Sequence, residues 1–141
     1  MRTLMLWAGL SATLLLSGCG TSKNVPAPAD TKISETVVEA AADAGKAAFA
    51  SCTVCHNNVQ GAAAKMGPNL YGVFGRKAGS ADGFAYSSAL KASQITWTEA
   101  ELDAFLTNPS VKVPGTKMGA GGISDATKRK AVIAYLKGAA G

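Results

Sequence analysis

Ala50-Ser51-Cys52-Thr53-Val54-Cys55-His56 is the stretch on which the reading of this chain turns. Two cysteines three apart, followed at once by a histidine, form the attachment pattern of a c-type heme. The reason is geometric. Residues three apart share one face of a helical turn, so the thiols of Cys52 and Cys55 can add to the two vinyl groups of a single porphyrin. His56 then follows where its imidazole can reach the iron. Two other chemistries use a Cys-x-x-Cys pair. A thiol-redox pair leaves His56 without a role, and no parallel-sheet pattern surrounds the motif. A zinc site needs a second Cys/His pair to complete four ligands, and the sequence holds none.

Composition points the same way. The 141 residues suffice for one domain, and a multi-domain enzyme does not fit that length. Hydrophobic residues make up 48%, but 27 of them are alanine. With 16 glycines, 5 prolines and a net charge of +5, collagen-like, coiled-coil and long disordered chains are excluded. Between Gly45 and Gly141 only 18 of 97 residues are Leu, Ile, Val or Phe, near the level at which chains struggle to fold alone. A buried porphyrin answers that deficit. Several hundred Å² of apolar area at about 25 cal/mol per Å² contribute on the order of 10 kcal/mol, enough to decide folding.

The N-terminus reads as an address. Arg2 is followed by an apolar stretch from Leu4 to Leu16, and then by Ser17-Gly18-Cys19. The stretch is too short for a spanning helix and of the right length for a signal h-region. Small residues before a cysteine resemble a bacterial lipoprotein signal. The expectation is a signal peptide over 1–18, a flexible lipid-anchored tether over 19–36 and a folded domain over 37–141, with the lipid on Cys19. An ordinary secretory signal cut near the same place is the alternative. Thr, Ser, Lys, Asn and prolines leave the tether little to bury, and two or more acyl chains make the anchoring stable. The expected location is the periplasm-facing membrane surface, with inner or outer membrane left open.

Three helices are legible in the remainder. Thr36-x-x-Glu39 is a capping-box start for an Ala-rich helix running to about Ser51. Thr98-x-x-Glu101 starts a second, with Leu102, Phe105 and Leu106 on one face and Asn108-Pro109 as its stop. Ser124 or Asp125 starts the last, with Val132, Ile133, Tyr135 and Leu136 as its apolar stripe. Gly45 would let the first and last helices cross closely. Residues 57–97 read as loops wrapping the cofactor. His56 is the only histidine, so a second axial ligand is Met, Lys, water or nothing. Past the signal the methionines are Met66 and Met118. The second lies in Val113-Pro114-Gly115-Thr116-Lys117-Met118-Gly119, a loop stiffened by proline and freed by glycine.

The chain resembles class I cytochrome c of the mitochondrial and alphaproteobacterial type. The stretches that carry the resemblance are Cys52-Thr53-Val54-Cys55-His56, Gly67-Pro68-Asn69-Leu70, Val73-Phe74-Gly75-Arg76-Lys77, Gly83-Phe84-Ala85-Tyr86-Ser87, Ile95-Thr96-Trp97, Leu106-Thr107-Asn108-Pro109, Pro114-Gly115-Thr116-Lys117-Met118 and Ile133-Ala134-Tyr135-Leu136-Lys137. They occur in the family's order over about residues 45–137. The resemblance implies an all-α fold of short helices and loops around one covalent heme c. It makes Met118 the sulfur ligand opposite His56 and gives Pro68 a carbonyl that accepts from the His56 ring. It implies that Arg76, Tyr86 and Trp97 donate around an inner propionate, with Thr116 as a loop hydroxyl near a propionate. Three positions depart from the pattern. Phe105 stands where a tyrosine often bonds the Met sulfur, Ala120 where an aromatic often shields the heme edge, and Leu90 replaces a polar residue.

The function that follows is one-electron transfer between a quinol-oxidising cytochrome complex and a heme–copper terminal oxidase, by a monomer that is not an enzyme. Lys65, Lys77, Lys112 and Lys117 are the expected edge facing acidic docking patches on those respiratory complexes. The Lys128–Lys137 stretch reads equally as a solvated face. Ser51, Ser110 and Val111 fall where relatives carry lysines, which weakens the expected steering. Nucleic-acid binding is not expected. The rival readings are a heme peroxidase or ligand sensor that loses Met118, and a donor to one dedicated periplasmic reductase.

Overall fold

The computed structural model describes residues 31–139, with side chains from residue 37 onward. The expected signal peptide, Cys19 and most of the expected tether lie outside the described residues. Five α-helices and one 3-10 turn make up the fold: α1 (Thr31–Phe49), the turn Ala50–Val54, α2 (Ser88–Ala92), α3 (Glu99–Thr107), α4 (Pro109–Lys112) and α5 (Ala126–Gly138). Among the described residues there is no strand. A lone antiparallel bridge pairs Lys77 with Thr96.

α1 begins at Thr31 rather than Thr36. The capping-box pattern therefore sits inside the helix, and the last six residues of the expected tether are helical. Nothing between Thr31 and Thr36 breaks a helix, so once the Ala-rich stretch is helical, propagation, which is cheaper than nucleation, extends it back past the capping pattern. The other two starts hold. Thr98 Oγ1 accepts from the Glu101 backbone N–H at 3.2 Å, and Asp125 Oδ1 accepts from Thr127 and Lys128 N–H at 2.7 and 3.1 Å. Asn108 has two tasks. It ends α3, and its side chain accepts from Val111 N–H at 3.1 Å to start α4, with Pro109 in the first turn, where proline's missing N–H costs nothing. The short α2, capped by Ser87, lies inside the stretch read as loop, because five residues show too little periodicity to register.

α1 and α5 cross at Gly45. A Cβ there would stand 2.7 Å from the Tyr135 Cβ and 2.8 Å from the Ala131 carbonyl oxygen, so only glycine admits the approach. One turn later Phe49 packs its ring 5.3 Å from that of Tyr135. α3 lies against α5, and the buried cluster of Phe49, Trp97, Leu102, Phe105, Val132, Ile133 and Leu136 joins the three helices. Its apolar surface is half of a core: it faces a cleft rather than closing on itself.

Two outcomes follow. Gly45→Val should destabilise the domain by about 1–3 kcal/mol, the usual cost of forcing bulk into a packed contact, read as a lower denaturant midpoint. Asp125→Ala should cost about 1 kcal/mol for loss of the N-cap, and Asp125→Asn should restore most of it.

Candidate functional site

The 3-10 turn that ends α1 presents the cysteine pair. With three residues per turn, positions i and i+3 eclipse, so Cys52 and Cys55 stand on one side. Both are free and half-buried. Backbone N–H groups of Cys55 and His56 both donate to the Cys52 carbonyl, at 3.1 and 2.9 Å, which fixes the histidine directly after the turn. Burial pushes the Cys52 thiol above the usual range, against the lowering effects of the Ser51 hydrogen bond and of Lys128.

The following loop holds His56 from below. Gly67 N–H donates to Cys55 O at 2.8 Å and Leu70 N–H to Asn57 O at 2.7 Å. Asn69 Nδ2 donates to the carbonyls of Val59 and Ala62. Gly67 lies flat against the imidazole: a Cβ there would stand 2.7 Å from His56 Nδ1. Nδ1 itself is 2.8 Å from the Pro68 carbonyl oxygen. A carbonyl can only accept, so Nδ1 carries the proton and the Nε2 lone pair is free. This is how a metal-binding histidine is oriented and made more basic.

His56 lies at one wall of an apolar cleft holding about 640 Å³ not filled by protein atoms, counting the part open to solvent. Cys52, Leu70, Val73 and Leu90 line it together with Leu102, Phe105 and Leu106 of α3 and Val132 and Leu136 of α5. Met118 also lines it, whereas Met66 is 75% exposed. No lysine is among the lining residues. The ligand candidates that the sequence leaves open are thus separated by position.

Arg76, Tyr86 and Trp97 come together at the cleft. The Arg76 guanidinium is held by the Tyr71 and Asn69 carbonyls, both at 3.0 Å. Burial raises the Tyr86 phenol's pKa, outweighing the lowering effects of Arg76 and of the Ala81 backbone, so it remains a donor at neutral pH. Trp97 is fixed by backbone bonds of 3.0 Å to Gly75 and Arg76, and its ring meets the Phe105 edge at 5.1 Å. Thr116 does not line the cleft; its hydroxyl accepts from Met118 N–H at 3.3 Å. Ala120 is exposed, while Leu90 and Phe105 are part of the lining.

Of the four lysines expected at a docking edge, Lys112 is committed elsewhere. Its ammonium pairs with Glu101 at 2.7 Å. Lys65 donates to the Thr53 carbonyl at 2.7 Å, beside the cysteine motif, and Lys77 and Lys117 are exposed. The apolar wall from Leu70 and Val73 escapes sequence reading, because their spacing in loops carries no period. The pairing of Arg129 Nε with Asp103 Oδ1 at 2.8 Å escapes it too, because a basic run on a helix reads as solvated surface.

A c-type heme fits these residues on three observations: paired thiols on one side of a turn, an imidazole with Nε2 free, and a slot lined mainly by aliphatic and aromatic groups. The comparisons with known proteins agree. The model of the family "Cytochrome c" matches residues 42–140. Cytochrome c2 of Blastochloris viridis is 47% identical over 96 residues, 68% of this chain and 76% of its own. Cytochrome c-550 of Nitrobacter winogradskyi is 48% identical over 94 residues, 67% and 86%. Cytochrome cH from Methylobacterium extorquens superposes with a TM-score of 0.65 at 52% identity, over 69% of this chain and 97% of that one. Sequence, fold and relatives converge on one assignment: the chain belongs to the cytochrome c family and transfers electrons by a heme c held covalently through Cys52 and Cys55.

Proposed function

We propose that this protein is the mobile one-electron link between a quinol-oxidising cytochrome complex and a heme–copper terminal oxidase, with its heme iron held by His56 and Met118. The observation that carries the reading is the polarity of the cleft. His56 Nε2 is left free by the Nδ1 bond to Pro68, and of the two methionines past the signal Met118 lines the cleft whereas Met66 is exposed.

Bound there, the heme supplies a one-electron iron couple. The chain's residues decide how it behaves. Cys52 and Cys55 keep the group from leaving. Pro68 fixes the imidazole tautomer. Met118 would supply the second protein ligand, and a thioether favours the reduced iron. Leu102, Phe105, Val132 and Leu136 exclude water, which disfavours the extra charge of the oxidised state. Arg76, Tyr86 and Trp97 supply N–H and O–H groups where a propionate needs them. The second rival, a dedicated periplasmic reductase as acceptor, shares all of this chemistry and differs in the partner alone.

Encounter with an acidic partner surface is assigned to Lys65, Lys77 and Lys117. The pair of Lys112 with Glu101 takes one charge out of that set, which lowers the expected steering and its dependence on salt. The anchoring is part of the same proposal. A lipid on Cys19 would keep the domain at the periplasmic face of a membrane, where both complexes work, as a monomer on a leash.

Three outcomes test this. The reduced protein should pass electrons to a heme–copper oxidase at rates that fall with ionic strength; no transfer, where a soluble cytochrome c succeeds, refutes it. Met118→Ala should open the reduced iron to carbon monoxide and lower the potential by on the order of a tenth of the roughly 0.8 V that axial ligands span; an unmoved potential would refute the thioether ligation. Cys19→Ser should move the protein from the membrane to the soluble fraction, and intact mass should lose the acyl groups. Continued membrane attachment would contradict the lipid reading.

A further inference from the structure

The loop from Val113 to Ile123 carries Met118 and has little to hold it. Its N-terminal half is tied by a turn, with Thr116 N–H donating to Val113 O at 3.0 Å, and by the Thr116 hydroxyl on Met118 N–H. After Met118 comes Gly119-Ala120-Gly121-Gly122. Gly119 and Gly121 have no neighbour near their Cβ positions, and such a run loses much backbone freedom on ordering. The loop stays in place only if its ends are fixed.

Both ends are fixed to the same helix. At the start, Lys112 pairs with Glu101 of α3 at 2.7 Å. At the far end, Ile123 N–H donates to Leu106 O at 2.7 Å, and Gly122 sits against the Thr107 carbonyl so closely that a Cβ would overlap it. Arg129 of α5 gathers that end. Its Nε donates to Asp103 Oδ1 at 2.8 Å, and its Nη1 donates to the carbonyls of Ile123 at 2.8 Å and Ser124 at 3.0 Å. The Arg129 side chain is 12% exposed, against 42% for Asp103. One planar cation thus joins the exit of the loop, α3 and α5. Lysine cannot reproduce that fork, since its ammonium is a single point of donation.

We propose that Arg129 is a positioning residue for the Met118 thioether: by fixing the Ile123–Ser124 carbonyls to Asp103, it sets how often the loop swings the sulfur away. The inference rests on the reading of Met118 as ligand. Neither Arg129 nor Asp103 lines the cleft, so both act through the loop. Arg129 has the larger effect, because removing it releases two loop carbonyls, whereas Asp103→Asn keeps those bonds and an acceptor oxygen for Nε and loses only the carboxylate charge.

The test uses the full-length, heme-loaded protein. Carbon monoxide can bind the reduced iron only when the thioether has left, so its uptake reports loop opening. In Arg129→Gln, uptake should rise about tenfold, the net size of a charge-assisted hydrogen bond, and amide exchange should quicken at residues 118–123 while α1 and α5 stay protected. Asp103→Asn should give a smaller rise, and Arg129→Lys should fall between Gln and the unmodified protein. Uptake that is unchanged in both Arg129 variants, or that rises only in proportion to a fall in global denaturant stability, overturns the proposal. Should Arg129→Gln fail to fold, Asp103→Asn decides by the same two measurements. If the unmodified oxidised protein lacks the thioether-to-iron charge-transfer band, the reading of Met118 fails first, and the two failures are told apart.

Discussion

A single hydrogen bond, from His56 Nδ1 to the Pro68 carbonyl, organises the site. It selects the tautomer, aims Nε2 and ties the loop after the cysteine motif to the turn that bears it. Gly67 makes the bond possible by letting the backbone lie against the ring. The neighbouring bonds from Gly67 to Cys55 and from Leu70 to Asn57 hold the carbonyl in place. An imidazole free to rotate could offer either nitrogen to a metal. Here only one is offered, and the cleft beyond it is lined mainly by apolar side chains.

The remaining architecture supplies walls. Phe49, Val132 and Leu136 come from the crossing of α1 and α5, Leu102 and Phe105 from α3, and Leu70 and Val73 from the loops. Each helix spends part of its apolar face on its neighbours and part on the cleft. That explains a chain poor in large aliphatic residues that still folds: half of its interior is meant to be porphyrin. The Trp97–Phe105 contact stiffens one wall; the entry of the Met118 loop is held by the Lys112–Glu101 pair, and its exit by Arg129, which joins the Ile123 carbonyl to Asp103.

Much of this was legible in the amino-acid string because it depends on local rules. Cys52, Cys55 and His56 follow from spacing, Thr98 and Asp125 from capping chemistry, Gly45 from the need for a close crossing. Pro68 enters only through the family resemblance, which also chooses Met118 over Met66, since nothing near them in sequence says which side of a ring they face. What escaped was non-local. The start of α1 moved because propensity outran a capping pattern. Lys112 looked like free surface charge until Glu101 turned up eleven residues earlier on the next helix. Arg129 sat in a basic run, and its acceptors lie on a loop that sequence periodicity does not describe.

The crossing at Gly45 has a bearing on assembly. Residues near 45 must find residues near 131 and 135, and closing so long an intervening segment is entropically slow. Until α5 docks, the cleft lacks Val132 and Leu136 and stands open along one flank. A chain whose α5 has not yet docked therefore leaves the cysteine pair beside an incomplete enclosure. The same seam that seals the prosthetic group in the mature molecule leaves a window, earlier in the molecule's life, during which that group can be stitched in.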